Sequence, residues 1–216
     1  IHVYLMPGMA ASPKIFEHIK LPENQFKIHL LEWLIPLDNE TLNDYALRLS
    51  KNIKHEHIVL LGVSFGGVLV QEISKHIKVR KLIIVSSVKS KHELPKKMLL
   101  AKATKAYMLV PTQLASKIDI FEKYAFGNNI VKRLELYKKY LSVNDRRYLS
   151  WAIKEMVCWE QTEVLPDITH IHGDKDPVFP IKYIKNCIVV KNGTHIAIIN
   201  KYKWFNENLP KLILGS

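Results

Sequence analysis

A chain of 216 residues, 48% of them hydrophobic, has the material for one domain with a sizeable core. Its formal charge of +12 raises nucleic-acid binding, but only five of its 32 basic residues are arginines (Arg48, Arg80, Arg133, Arg146 and Arg147), and there is no Arg-rich helix or aromatic RNA platform. The excess of lysine describes a solvated surface and argues against a nucleic-acid partner. No apolar run approaches the roughly 20 residues that cross a bilayer, and Cys158 and Cys187 are too few for a disulfide framework or a cysteine metal site, so a reducing, cytoplasmic setting is the simplest reading.

Residues 1–6 lack the basic start and cleavage site of a signal peptide and read as a strand, interrupted by Pro7-Gly8. Ser12-Pro13 opens a short helix to about Ile19, and Phe26–Leu31 is a second strand. From Thr41 to Ile53, apolar residues at 42, 45, 46, 49 and 53 make one helical face, with Thr41 and Asp44 as its cap. Ile58–Leu61 is an apolar run suited to a buried parallel strand. It stops at Gly62-Val63-Ser64-Phe65-Gly66 and passes into a helix from Phe65 to about Ile77, followed by a strand over Lys81–Ser86. Three alternations of strand and helix predict an α/β protein whose parallel sheet is covered by helices on both faces.

Between Lys89 and Glu160 the pattern changes to helical spacing alone, over Met98–Val110, Leu114–Phe126, Ile130–Leu141 and Asp145–Trp159. This stretch carries 15 basic and 7 acidic residues, a net +8, so one third of the chain holds two thirds of its excess charge. We read 89–160 as a helical insertion and 1–88 with 161–216 as the core. Strands resume at Asp167–His172 and Cys187–Val190, and a helix from about Ile196 to Leu209 follows.

The Gly-x-Ser-x-Gly run between a strand and a helix is the pattern of a nucleophile elbow. The turn places Ser64 in a strained conformation and brings strand and helix so close that Gly62, Gly66 and Gly67 must lack side chains. Ser64 then needs a base and an acid to orient that base. Two later segments at strand ends offer them: His172-Gly-Asp-Lys-Asp-Pro-Val-Phe-Pro180 and Asn192-Gly-Thr-His195.

With the elbow, these segments make the chain resemble the α/β-hydrolase family, whose serial order of nucleophile, acid and base is matched by Ser64, Asp176 and His195. The resemblance covers nearly the whole chain. It implies a mostly parallel sheet flanked by helices, without the family's first two strands, and 89–160 as a helical cap. The family's loop pattern puts the acid at the second Asp, so Asp176 is preferred to Asp174, which would brace the loop. It also implies an oxyanion hole of backbone N–H groups, from Phe65 and, in the loop after the first strand, from Met9. Pro7-Gly8 stands where many relatives have His-Gly.

No cofactor or metal is expected. The other nine histidines, including the His55/His57 and His170/His172 pairs, read as surface or strand-end residues, since i, i+2 spacing binds a metal only with further ligands. Ser86 and Ser87 would line the site; Trp33, Trp151 and Trp159 read as core, with an apolar wall as the alternative; Lys175 has no assigned role. The expected activity is a serine hydrolase acting on a carboxylic ester or thioester through an acyl-serine, its acyl pocket lined by cap residues such as Met98, Leu99, Tyr107, Met108, Leu109 and Phe121. The alternative is a binding protein on the same fold, whose basic cap docks an acidic partner such as an acyl carrier protein. The oligomeric state is open.

Overall fold

The computed structural model describes residues 1–109, 139–141 and 143–215. Six strands form one sheet in the order β2-β1-β3-β4-β5-β6: β1 His2–Met6, β2 Lys27–Leu30, β3 Ile58–Val63, β4 Val79–Val85, β5 Thr169–Gly173 and β6 Ile188–Val190. All five pairings are parallel, where a mostly parallel sheet was expected.

A strand covered on both faces is apolar at successive positions, and the two parities go to different sides. Tyr4, Met6, Ile58, Leu60, Leu82 and Ile84 face one apolar cluster, whereas Val3, Leu5, Val59, Leu61, Ile83 and Val85 face the other. The first cluster is closed by helices α1 (Leu42–Ser50) and α2 (Phe65–Ile73). The second is closed by a 3-10 turn at Pro13–Phe16 and, near the end of the chain, by α5 (Ala197–Asn200) and α6 (Tyr202–Leu214). Every residue of α2 is buried, which explains why its sequence lacks a polar stripe.

The residues between β4 and β5 carry α3 (Lys96–Ala103), a 3-10 turn at Ala106–Leu109 and α4 (Arg146–Val157). Asp145 caps α4 by accepting the Tyr148 N–H at 2.9 Å, and Tyr148, Trp151, Ala152 and Met156 pack into the first cluster. The expected helix Leu114–Phe126, and nearly all of Ile130–Leu141, lie outside the described residues.

Several boundaries differ from the sequence expectation for identifiable reasons. Strand β4 starts at Val79 because Val79 pairs with Ile58, and it stops before Ser86, whose φ of 48° turns the chain. Helix α2 ends at Ile73 rather than Ile77. The helix expected over Ile196–Leu209 breaks at Lys201 and then runs past Pro210 to Leu214. Proline deletes one hydrogen bond there, but Phe205, Leu209 and Ile213 form a buried stripe that keeps the last turn on the core. The helix stops at Gly215, at φ 81°, where a left-handed residue costs least.

The close approach of β3 to α2 generates a direct test. A β-carbon on Gly62 would lie 2.2 Å from the Gly66 carbonyl oxygen, and one on Gly66 would lie 2.2 Å from the Pro7 carbonyl oxygen. Gly62→Ala should therefore cost about 3 kcal/mol or more in a denaturant titration. Gly8→Ala, whose β-carbon would meet nothing nearer than 3.4 Å, should cost clearly less.

Candidate active site

Ser64 sits between the end of β3 and the first residue of α2, with φ 54° and ψ −122°. Three contacts hold this unfavourable conformation. The Ser64 N–H donates to the Val85 carbonyl at 2.9 Å, the Ser64 carbonyl accepts the Gly67 N–H at 2.8 Å, and the Ser87 hydroxyl donates to that same carbonyl at 2.7 Å. Ser86 and Ser87 were expected to line the site. Both are instead fully buried, and Ser87 braces the turn from behind.

Asp176 reaches the same edge from the loop after β5. Gly173 pairs with Val190, and a β-carbon on Gly173 would lie 2.3 Å from the Gly193 carbonyl oxygen, so the acid loop and the turn after β6 are in backbone contact. Lys175 donates its N–H to that carbonyl at 2.9 Å. Asp176 is fully buried, and its Oδ1 accepts the N–H groups of Val178 at 2.8 Å and Phe179 at 3.0 Å. Its Oδ2 lies 2.9 Å from His195 Nδ1. A carboxylate accepts, so the imidazole carries its proton on Nδ1, leaving Nε2 bare. That nitrogen lies 3.0 Å from Ser64 Oγ. Hydroxyl, imidazole and carboxylate thus form one hydrogen-bonded line, with Ser64 and His195 partly open to solvent.

Asp174 stays out of this line. Its N–H reaches the Val190 carbonyl at 3.4 Å, but its buried Oδ1 finds no partner among the described residues, so the side-chain brace expected of it is missing at that atom. Lys175 is exposed and points to no role here.

The loop after β1 is pinned beside the elbow. Trp33 donates its indole N–H to the Gly8 carbonyl at 2.8 Å and stacks on Phe65 at 5.2 Å, and the Tyr148 hydroxyl accepts the Ala10 N–H at 3.1 Å. The backbone N–H groups of Phe65 and Met9 have no acceptor among the described residues. Trp151 donates to the Glu40 carbonyl at 2.8 Å, and Trp159 to the Glu72 carboxylate at 2.8 Å, so all three tryptophans serve the core. The sequence gives no sign of Tyr148 and Trp33 as loop anchors, because each acts across a long separation.

Of the described residues expected in the acyl pocket, Tyr107 and Met108 line one cleft, away from the three aligned side chains. Leu99, Met108 and Leu109 are exposed, Met98 packs against the core, and Phe121 lies outside the described residues. A cleft of about 700 Å³ lies between Pro36–Glu40, Tyr107 and α4, and none of the three aligned side chains lines it.

His170 and His172, expected at the surface or at a strand end, lie within β5 and are buried. His172 Nε2 lies 2.8 Å from the Phe179 carbonyl, which can only accept, so that nitrogen holds the proton. His172 Nδ1 must then accept from His170 Nε2 at 3.2 Å. Both rings are neutral. Burial, then the neighbouring His172 and Lys89, pushes His170 down to about 2, and burial also lowers His172.

No protein-family model matches the sequence, and no curated protein is found similar to it. Solved structures do match. A bromoperoxidase from Bacillus anthracis aligns over 100% of this chain and 92% of its own at 18% identity, with a TM-score of 0.68. A hydrolase from Pseudomonas aeruginosa aligns over 100% and 90% at 14% identity, with a TM-score of 0.68. A thermophilic esterase from Thermogutta terrifontis aligns over 98% and 90% at 13% identity, with a TM-score of 0.60. The chain has the α/β-hydrolase fold. At these identities the likeness is one of architecture, and in the α/β-hydrolase fold found here the insertion between β4 and β5 holds the cap position.

The buried histidines predict a pH dependence. Above pH 6.5, their ordinary value, both are neutral folded or unfolded and contribute no slope. Below it the unfolded chain takes up protons that the folded chain refuses, so stability falls by up to about 1.4 kcal/mol per pH unit for His170, and the lowered His172 acts in the same direction. Urea titrations from pH 7 to pH 5 should show this fall, and His170→Asn should flatten it.

Proposed function

We propose that the chain is a serine hydrolase that cleaves a carboxylic ester or thioester. The single observation that carries this reading is the continuous line from Asp176 through His195 to Ser64, with the bare imidazole nitrogen 3.0 Å from the hydroxyl. His195 takes the Ser64 proton as Oγ attacks the acyl carbonyl, and Asp176 stabilises the imidazolium and keeps its orientation. The N–H groups of Phe65 and Met9 donate to the oxyanion, a contribution worth about 3 kcal/mol per donor. His195 then passes the proton to the leaving oxygen or sulfur. Water, activated by the same ring, releases the acid from the acyl-serine. The esterase and hydrolase among the solved structures with this fold support the reading. Residues 89–160 serve as the cap over the site, and the free cysteines Cys158 and Cys187 suit a reducing cytoplasm.

A second reading, an acidic acyl carrier as the substrate's bearer, is favoured by the exposed Lys96, Lys97 and Lys105, which share one segment with exposed Leu99 and Leu100. On it, turnover of a carrier-bound thioester should fall with rising salt, while turnover of a free thioester should not.

Ser64→Ala should reduce turnover of a short p-nitrophenyl ester on the order of 10⁶-fold and abolish labelling by a fluorophosphonate probe, with the fold retained. Asp176→Asn should lose about 10⁴-fold through the wrong imidazole tautomer. Undiminished esterase activity in Ser64→Ala would remove the proposal.

A further inference from the structure

Three histidines from separate segments meet at the other end of the sheet. His2 opens β1, His55 precedes β3, and His29 is the third residue of β2 opposite Tyr4, so the group gathers over the first half of β1, whereas Ser64 lies beyond the end of β3. One nitrogen from each ring falls within 4.8 Å of the others. His2 Nδ1 and His29 Nε2 are 2.8 Å apart, and the His2 and His55 rings stack at 3.5 Å and 11°. We propose that His2, His29 and His55 form a binding site for one divalent transition-metal ion of the zinc class.

The chemistry of the donors fits such an ion. Neutral imidazole suits zinc, copper and nickel, and three histidines leave a fourth position for water. Ligand nitrogens about 2.0–2.1 Å from a tetrahedral zinc lie roughly 3.3 Å from one another, so the nitrogens need to move only on the order of an ångström, while the stacked His2 and His55 rings must turn out of parallel to aim both lone pairs at the ion. All three are half-buried, which keeps part of the ion's shell out of bulk water.

An outer partner is in place as well. The Tyr4 hydroxyl lies 2.7 Å from His55 Nδ1 and accepts the Lys54 N–H at 3.2 Å, and its ring stacks on His29 at 4.5 Å. A hydrogen bond of this kind orients a ligating imidazole. The cross-strand register supplies the rest: Tyr4 pairs with His29, which brings His29 to the face that carries His2 and Tyr4. Because β2 is a four-residue edge strand, an ion held by β1, β2 and the segment before β3 would fasten the sheet's free edge.

The test uses the full chain without a histidine tag, stripped by a chelator. Titration with Co²⁺ should give one equivalent bound, with the intense visible bands of a tetrahedral site, and Zn²⁺ should displace it and raise the melting temperature. His29→Asn and His55→Asn should each weaken binding about a hundredfold and remove the bands, Tyr4→Phe should weaken it about tenfold, and His92→Asn, at an exposed position, should change nothing. Stability measured with chelator present shows that each variant is folded, and two separate ligand variants keep the result readable if one is not. Ser64→Ala should bind cobalt like the wild type, which separates this site from the hydrolase reading. Absence of stoichiometric binding, or binding unchanged in both ligand variants, overturns the proposal.

Discussion

The conformation of Ser64 is imposed on it by its neighbours. A serine with φ 54° and ψ −122° costs about 1–3 kcal/mol, and it persists only where surrounding bonds over-determine it. Here the last residue of β4, Val85, supplies one of those bonds, Ser87 just beyond the strand supplies a second, and the start of α2 supplies another. The turn also demands that strand and helix backbones nearly touch, which excludes a β-carbon at Gly62 and Gly66. Because Gly66 lies against Pro7 and Met6, the same contact sets where the loop after β1 can run. One strained residue thereby determines the relative positions of two strands, a helix and a loop, and the hydroxyl emerges from the sheet as a consequence.

The polar groups behind the site follow a different rule. Asp176 is taken wholly out of water, and its oxygens are met by two backbone N–H groups and one imidazole. A buried carboxylate is tolerable only with such full satisfaction. Beneath it, His172 and His170 continue as neutral rings, each donating in one direction, and the Phe179 carbonyl sets that direction. Phe179 serves both systems, since its N–H binds Asp176 and its carbonyl binds His172. Acid loop and strand interior are therefore one hydrogen-bonded unit, and no lysine or arginine among the described residues pairs with the carboxylate.

What the sequence made legible was the part carried by local pattern. Apolar runs at Ile58–Leu61 and around Ile83 mark strands because both faces are buried, and the glycines at 62 and 66 mark a turn because no other residue fits. The segments holding Asp176 and His195 were recognisable as loops at strand ends. Whatever depended on partners distant in sequence was not legible. Tyr148 binds Ala10 across 138 positions, and nothing near either residue announces it. The burial of His170 and His172 was missed because a histidine pair in a strand reads as polar until its neighbours are known. Leu99 and Met108 read as pocket lining from composition alone, but periodicity does not say against what a helix packs, and α3 has no buried residue.

The histidine group shows the same limit from the other side. The eye falls on i, i+2 pairs such as His55/His57, because a strand puts such residues on one face. His57 is exposed at φ 49°, while His55 turns inward to meet two residues that follow different strands' registers. Parallel neighbours are joined by long crossovers, so their register is settled by helices packed elsewhere, and only the folded sheet brings positions 2, 29 and 55 together. Strand β1 then links the molecule's two polar ends. His2 stands at its start, and the Pro7-Gly8 loop leaves its end, with Tyr4 and Met6 buried between them. That loop has its own anchors in Trp33 and Tyr148, so order gained at the strand's start reaches a segment already held in place. The sheet keeps its two ends structurally separate although a single five-residue strand joins them.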